Sequence, residues 1–316
     1  MSALDPASEA GILSQAPAAA SRSVTAAAGE SLTPRQRLIR MVSNGAVTVV
    51  VVFIALLWSI PTFGLFISSF RPAAFIASTG WWTGILPPWH FTIENYTQVI
   101  QAQGMGTAFL NSLIIAVPGT ILPVLIAAFA AYAFAWLKFP GRDWIFLAIV
   151  GLLVVPVQTT LIPMLSIFTS LNLTGQFVSI WIAHTAFGLP FAIYLLRSFF
   201  GALPADLLES ARIDGASNVR IFFSIMLPLS VPSLASLAIF QFMWVWNDLL
   251  VALIILGGNQ NVSPMTVTIA NLVNSFGSNY QVFTAAAFLS MALPLALFFG
   301  LQRYFVRGIL AGAVKG

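Results

Sequence analysis

Cysteine is absent from the 316-residue chain, which removes disulfide frameworks and thiolate metal sites from consideration. Charge is nearly as scarce: 7% of residues are Asp, Glu, Lys or Arg, against about 25% in soluble domains. A surface facing water on every side cannot be covered from that supply. The two lysines, Lys138 before Phe139 and Lys315 before Gly316, fit no Gly-x-x-x-x-Gly-Lys-[Ser/Thr] pattern, so a phosphate-binding loop is excluded. No His-Glu-x-x-His helix, no Gly-x-Ser-x-Gly elbow and no acidic or histidine cluster occurs either. The chain reads as non-catalytic, with no cofactor and no metal site of its own. Any energy source other than an ion gradient must then come from another subunit.

What the sequence has instead is long apolar runs. Apart from His184, nothing ionisable at neutral pH lies between Arg40 and Arg71, between Glu94 and Lys138, or between Asp143 and Arg197, and from Arg220 to Arg303 only Asp248 interrupts. Such runs match the roughly 20 apolar residues that a helix needs to cross a bilayer while closing its own backbone hydrogen bonds. They predict an all-α integral membrane protein with six transmembrane helices at about 46–69, 110–137, 144–168, 178–199, 231–256 and 283–303. Pro61, Pro118, Pro123, Pro156, Pro163, Pro190 and Pro294 fall inside these spans and are expected to kink or locally unwind them.

Six spans put both termini on one side. Of the thirteen Lys and Arg residues, twelve (Arg22, Arg35, Arg37, Arg40, Lys138, Arg142, Arg197, Arg212, Arg220, Arg303, Arg307 and Lys315) share that side, leaving Arg71 alone opposite. The excess of positive charge makes it cytoplasmic. Residues 1–33, rich in Ala and Ser, read as a disordered cytoplasmic tail rather than a signal peptide. The membrane domain then runs over 34–316, beginning with a basic stretch at Arg35, Arg37 and Arg40. The external segments are a loop at 70–109 carrying Trp81, Trp82 and Trp89, a turn near 169–177, and a polar stretch at 257–282.

The cytoplasmic loop at 203–228 is too patterned for a linker. It reads as two short helices, Pro204 to Ile213 and Ser217 to Met226, with Ser217 or Asn218 placed to cap the second. Gly215 stands at the turn, where a positive φ is needed. Leu207, Leu208, Ala211 and Ile213 give the first helix an apolar face suited to a groove on a partner.

Glu209-Ser-Ala-x-x-Asp-Gly215, followed by nine residues and Ile225-x-Leu-Pro228, resembles the EAA loop of permease subunits of binding-protein-dependent ABC importers, with Ser210 in place of the usual first alanine. Phe91-Thr-Ile-Glu-Asn-Tyr96, Asn111-Ser-Leu-Ile-Ile, Trp246-Asn-Asp-Leu-Leu250 and the terminus from Gln302 to Gly316 resemble the carbohydrate branch, in particular the second permease subunit of the maltose type. The resemblance covers about residues 46–316. It implies the type I importer permease fold, a second and distinct permease subunit, two ATP-binding subunits that hold ATP and Mg, and an extracytoplasmic sugar-binding protein. It implies that Glu209, Ser210, Ala211, Asp214, Gly215 and Ala216 couple to an ATP-binding subunit. Gly312, Ala313, Val314, Lys315 and Gly316 are implied to contact that subunit as well. The loop with Asn259, Gln260 and Asn261, together with Asn279 and Tyr280, is implied to meet the binding protein.

A sugar path calls for neutral donors and acceptors and for aromatic faces. Gln158, Thr159, Gln241, Trp244, Asn247 and Asp248 supply them within spans, as does His184, although such residues also serve as bonds between membrane helices. Asp248 is the single acid deep in a span, about seventeen residues into the fifth. It supports the alternative of an ion-coupled sugar carrier, beside a third reading as a membrane scaffold without transport activity. The expected cargo is a di- or oligosaccharide such as an α-glucoside, crossing the cytoplasmic membrane with lipid around the chain and no role for nucleic acid.

Overall fold

The computed structural model describes the backbone of residues 34–102, 104–274 and 280–313, and side chains over 45–101, 104–272 and 280–302. The expected tail at 1–33, Asn279 and the terminal Val314, Lys315 and Gly316 lie outside the described residues. Every regular element among the described residues is helical. The chain divides into two compact units, Met1–Pro61 and Thr62–Gly316. The first holds most of helix α1 (Pro34–Ser69), whose apolar portion Gly45–Ser69 is long enough to cross a bilayer.

In the second unit, α2 (Ala73–Ser78), a short 3-10 turn at Trp81–Gly84 and α3 (Glu94–Ala102) fold the expected external loop. Helix α4 (Met105–Trp136) follows, then α5 (Arg142–Gly151), α6 (Val157–Ser170) and α7 (Phe177–Phe200). The loop at 203–228 contains α8 (Ala205–Ile213) and α9 (Asn218–Ile221), and a wide π turn at Phe222–Met226 leads through α10 (Leu227–Leu229) into α11 (Val231–Trp246). Helices α12 (Leu250–Leu256), α13 (Met265–Asn274) and α14 (Tyr280–Ala313) complete the order.

Helix α4 lies along α7, and α11 packs on α4 and α14. Two apolar clusters result. One, around Ile115, Ile180, Trp246 and Ile255, lies toward the segment between α12 and α13; the other, around Ala131, Leu196, Phe200 and Met226, lies toward the loop at 203–228. Small residues let these helices approach. A Cβ added at Gly119 would stand 3.3 Å from Val245 Cγ1 and 3.6 Å from the Cβ of His184, so this glycine sits where three helices meet.

Among the described residues, four helices are individually long and apolar enough to span a membrane, and the number reaches six only when two bent pairs count as spans. The expected span at 144–168 is one of these pairs, with α5 and α6 meeting at 102°. Pro156 is the cause: it has no N–H to donate and forces Val155 into an extended conformation at ψ 117°. The other six intraspan prolines are carried inside helices that continue through them.

The fifth span departs further from expectation. Helix α11 ends at Trp246, not near 256, and the second bent pair joins 218–229 to 231–246 at 75°. Asp248 is therefore not inside a helix but in the break between α11 and α12. The side chains at the break explain it. Asn247 donates its amide to Met243 O at 2.7 Å, and the Asp248 carboxylate accepts from Val251 N at 3.2 Å and Ala252 N at 2.9 Å. A carboxylate that caps a new helix competes with continuation of the old one.

The polar stretch at 257–282 also differs from a plain loop, because α13 folds within it and buries Met265, Val267 and Leu272.

Candidate functional site

The loop at 203–228 is built as a seat and an exposed rim. Asp206 in the first turn of α8 and Arg212 in its last complement the helix dipole. The helix stops at Asp214 because Gly215 takes φ +80°, and two bonds close the end: Gly215 N to Arg212 O at 3.0 Å and Ala216 N to Ala211 O at 2.9 Å. This pair of bonds is the Schellman arrangement that glycine makes possible. Ser217, rather than Asn218, caps the next helix, its Oγ accepting from Arg220 N at 3.3 Å. Beyond it the π turn buries Phe222, which stacks on Phe129 at 4.6 Å, and Met226.

The apolar face read from the sequence splits in two. Leu208 and Ala211 are buried, 1% and 8% exposed, and join the chain's own cluster with Leu196, Phe200 and Ile221. Leu207 and Ile213 point away, Ile213 being 86% exposed. Spacing places 213 about 200° round the helix from 211, opposite the buried face, while Leu207, four residues before 211, stands at the edge of that face and is 44% exposed. Arg212 reaches back to Trp136 O at 3.4 Å, and Trp136 Nε1 donates to Phe200 O at 2.9 Å, so the ends of α4, α7 and α8 are tied together. Glu209, Ser210, Asp214 and Gly215 are exposed, Ala216 is half-buried and Ala211 faces inward. Of the implied contact residues at the C-terminus, Gly312 and Ala313 end α14.

The candidate sugar-path residues do not form one lining. Gln241 is sealed between helices at 3% exposure and donates to Gly119 O at 3.2 Å. Gln158 and Thr159 are exposed beyond the α5–α6 bend, Thr159 Oγ1 bonding Pro156 O at 2.8 Å. Trp244 is half-buried with its ring edge-on to His184, and Asn247 is exposed. His184 is fully buried, yet its Nε2 stands 3.8 Å from Asp248 Oδ2, beyond hydrogen-bond reach, and neither ring nitrogen has a partner. Asp248 thus has an imidazole near it, which the sequence alone did not reveal.

On the opposite side of the unit, Asn259, Gln260 and Asn261 are exposed on the loop between α12 and α13, and Tyr280 is exposed at the start of α14. Arg71, 3% exposed, holds the segment after α1 together. Its guanidinium donates to Gly80 O at 2.8 Å, Phe75 O at 3.3 Å, Thr79 Oγ1 at 2.5 Å and Thr83 Oγ1 at 3.1 Å. Burial lowers its pKa from the usual arginine value. Asn95, in the Phe91-to-Tyr96 stretch, donates to Ser69 O and Arg71 O, both at 2.9 Å.

The family described as binding-protein-dependent transport system inner membrane component matches residues 119–311. The osmoprotective compounds uptake permease protein GgtD of Synechocystis is 57% identical over 270 residues, 84% of this chain and 91% of that protein. The alpha-glucoside transport system permease protein AglG of Rhizobium meliloti is 53% identical over 239 residues, 74% of this chain and 63% of that protein. In structure, the chain is similar to one from a bacterial ABC transporter involved in the import of the acidic polysaccharide alginate. The TM-score is 0.71 at 20% identity, covering 88% of this chain and 100% of that one, a likeness of fold.

Proposed function

The chain belongs to the family of inner membrane components of binding-protein-dependent transport systems, and from that premise we propose that it is one permease subunit of an ATP-driven importer whose cargo is an α-glucoside or a related small neutral glycoside. It pairs with a second, distinct permease, two ATP-binding subunits and an extracytoplasmic sugar-binding protein. Relatives named for alpha-glucosides and for osmoprotective compounds support the cargo class. The orientation has both termini in the cytoplasm and the chain in the cytoplasmic membrane, on the strength of twelve cations to one.

The observation that carries the reading is the loop at 203–228. Its inner face is pinned by Leu208 and Ala211, while Glu209, Ser210, Ile213 and Asp214 stand exposed on a helix of nine residues closed by Gly215. A rigid helix seated on the membrane helices and open on its other side can convert movement of a docked ATP-binding subunit into movement of α4, α7 and α11. ATP binding changes the separation of those subunits, the loop follows, and the path opens alternately to the two sides. The nucleotide shifts that equilibrium only by its different affinities for the two states. This chain performs no covalent chemistry; ATP and Mg sit on the partners. Gly312 and Ala313, at the end of α14, are assigned to contact with the same partner on the strength of the resemblance alone.

The test is reconstitution of the assembled complex in liposomes. Uptake of a labelled α-glucoside is expected to require ATP and the binding protein and to survive an ionophore, which separates the importer from an ion-coupled carrier and from a scaffold. Glu209→Lys and Gly215→Asp are each expected to abolish uptake and the stimulation of ATP hydrolysis; intact stimulation in both would remove the coupling role.

A further inference from the structure

Four hydrogen bonds join segments far apart in sequence on the side of the unit opposite the loop at 203–228. Asn111 Nδ2 donates to Asn261 O at 3.0 Å and to Ser263 O at 3.1 Å. Ser112 Oγ accepts from Met265 N at 2.8 Å, and Thr266 Oγ1 donates to Asp248 O at 2.6 Å. Asn111, Ser112, Ser263 and Met265 are all buried.

Each bond satisfies a group that the local fold leaves open. Met265 N is one of the first-turn amides of α13 that no intrahelical carbonyl can reach. Asp248 O lies in the break after α11, where the helical ladder stops. The carbonyls of Asn261 and Ser263 belong to a loop with no ladder of its own. Deleting the Asn111 amide leaves the buried carbonyl of Ser263 without this donor, and deleting the Ser112 hydroxyl leaves the buried Met265 N–H without this acceptor, so both changes act against the observed arrangement. The segment between α12 and α13 is held at both ends: α12 caps at Gly257 with φ +64°, and Asn261 N donates to Asn259 Oδ1 at 3.1 Å within the turn. What remains outward is a short row of amide side chains, Asn259, Gln260 and Asn261.

Building on the importer reading, we propose that Asn111 and Ser112 are positioning residues that preset this row as a docking edge for the extracytoplasmic binding protein, wiring it directly to α4 and to the α11–α12 break. Engagement of the loop then acts on the two elements that also carry Gly119 and Asp248. Exposed amides on a fixed backbone suit a polar protein surface, because little side-chain and loop freedom remains to be lost on contact. A loop released from α4 would occupy the docking arrangement for only part of the time, and apparent affinity falls by that fraction.

The experiment titrates the binding protein onto the complete complex in nanodiscs and follows ATP hydrolysis. Asn111→Ala and Ser112→Ala are expected to raise the half-saturating concentration of binding protein about three- to tenfold, with basal and maximal rates unchanged. Ser112→Thr, which keeps the hydroxyl, is expected to return it to within about twofold of the parent value. Should the alanine variants assemble poorly, Thr266→Val removes one bond at nearly constant shape and is expected to give the same split. Unchanged half-saturation, or a fall in maximal rate that Ser112→Thr does not reverse, overturns the proposal. A parent complex that ignores the binding protein altogether would instead sink the importer reading, and this proposal with it.

Discussion

Gly188 offers a sharp test of how the helices around Gly119 are held. A methyl added there would lie 2.6 Å from Gln241 Nε2, 2.8 Å from Oε1 and 3.0 Å from Cδ, closer than packed atoms stand. Gln241 cannot swing into solvent, because it is 3% exposed and its amide donates to Gly119 O at 3.2 Å. Gly188→Ala therefore combines overpacking, about 1–3 kcal/mol, with loss of an interhelical bond worth about 0.6 kcal/mol inside a membrane. We expect about 2 kcal/mol of destabilisation, read as a lower unfolding midpoint of the purified complex in nanodiscs. Gln241→Ala alone loses the bond and opens a hole. The double variant loses the clash, so it should be more stable than the sum of the single effects by about 1–2 kcal/mol. An additive cycle would refute this reasoning. So would a Gln241→Ala variant that keeps its midpoint while raising the half-saturating sugar concentration, which would place Gln241 in the sugar path rather than in a three-helix joint.

Two further outcomes follow from burial. Leu208→Ala, at a site 1% exposed, should cost about 2–5 kcal/mol and show as a lower unfolding midpoint. Ile213→Ala, at a site 86% exposed, should leave the midpoint within about 0.5 kcal/mol. It should nevertheless weaken stimulation of ATP hydrolysis by the partner subunits, and equal behaviour of the two variants would remove the division of α8 into seat and rim. Arg71→Met removes the bonds that tie Gly80, Phe75, Thr79 and Thr83 to one cation, while Thr83 Oγ1 still bonds Gly80 O and Thr79 Oγ1 still bonds Phe75 O, so we expect a loss of about 1–2 kcal/mol. Faster proteolysis within 72–93 in vesicles exposing the external face would report it, and unchanged cleavage would mean the segment holds without its cation.

The class of fold was legible because lipid imposes a coarse rule. Charge-free runs long enough to cross the bilayer marked helices α4 and α7 and the apolar parts of α1 and α14 to within a few residues. Turn chemistry was legible for the same kind of reason. Gly215 and Ser217 act on backbone atoms only a few residues away, and both do what their positions implied. The end of the fifth span at Trp246 is not legible in composition, because the stretch from 231 to 256 is mainly apolar and composition does not say whether the polar pair Asn247 and Asp248 is carried within a helix or ends it. The carboxylate bonds to Val251 and Ala252 decide that it ends.

The sequence by itself determined a multi-pass helical membrane protein, a patterned loop at 203–228 and membership of a transport family, since each is written in local composition or in a contiguous motif. Tertiary structure alone decided which face of α8 is spent on the chain's own core, that Gln241 is closed between α4 and α7, and that Asn111 and Ser112 hold a loop about 150 residues away. These depend on which helices meet and at what rotation, set by small residues such as Gly119 and Gly188 that permit close approach. Hydropathy carries no record of that choice, because in lipid the buried and the exposed faces of a helix are both apolar.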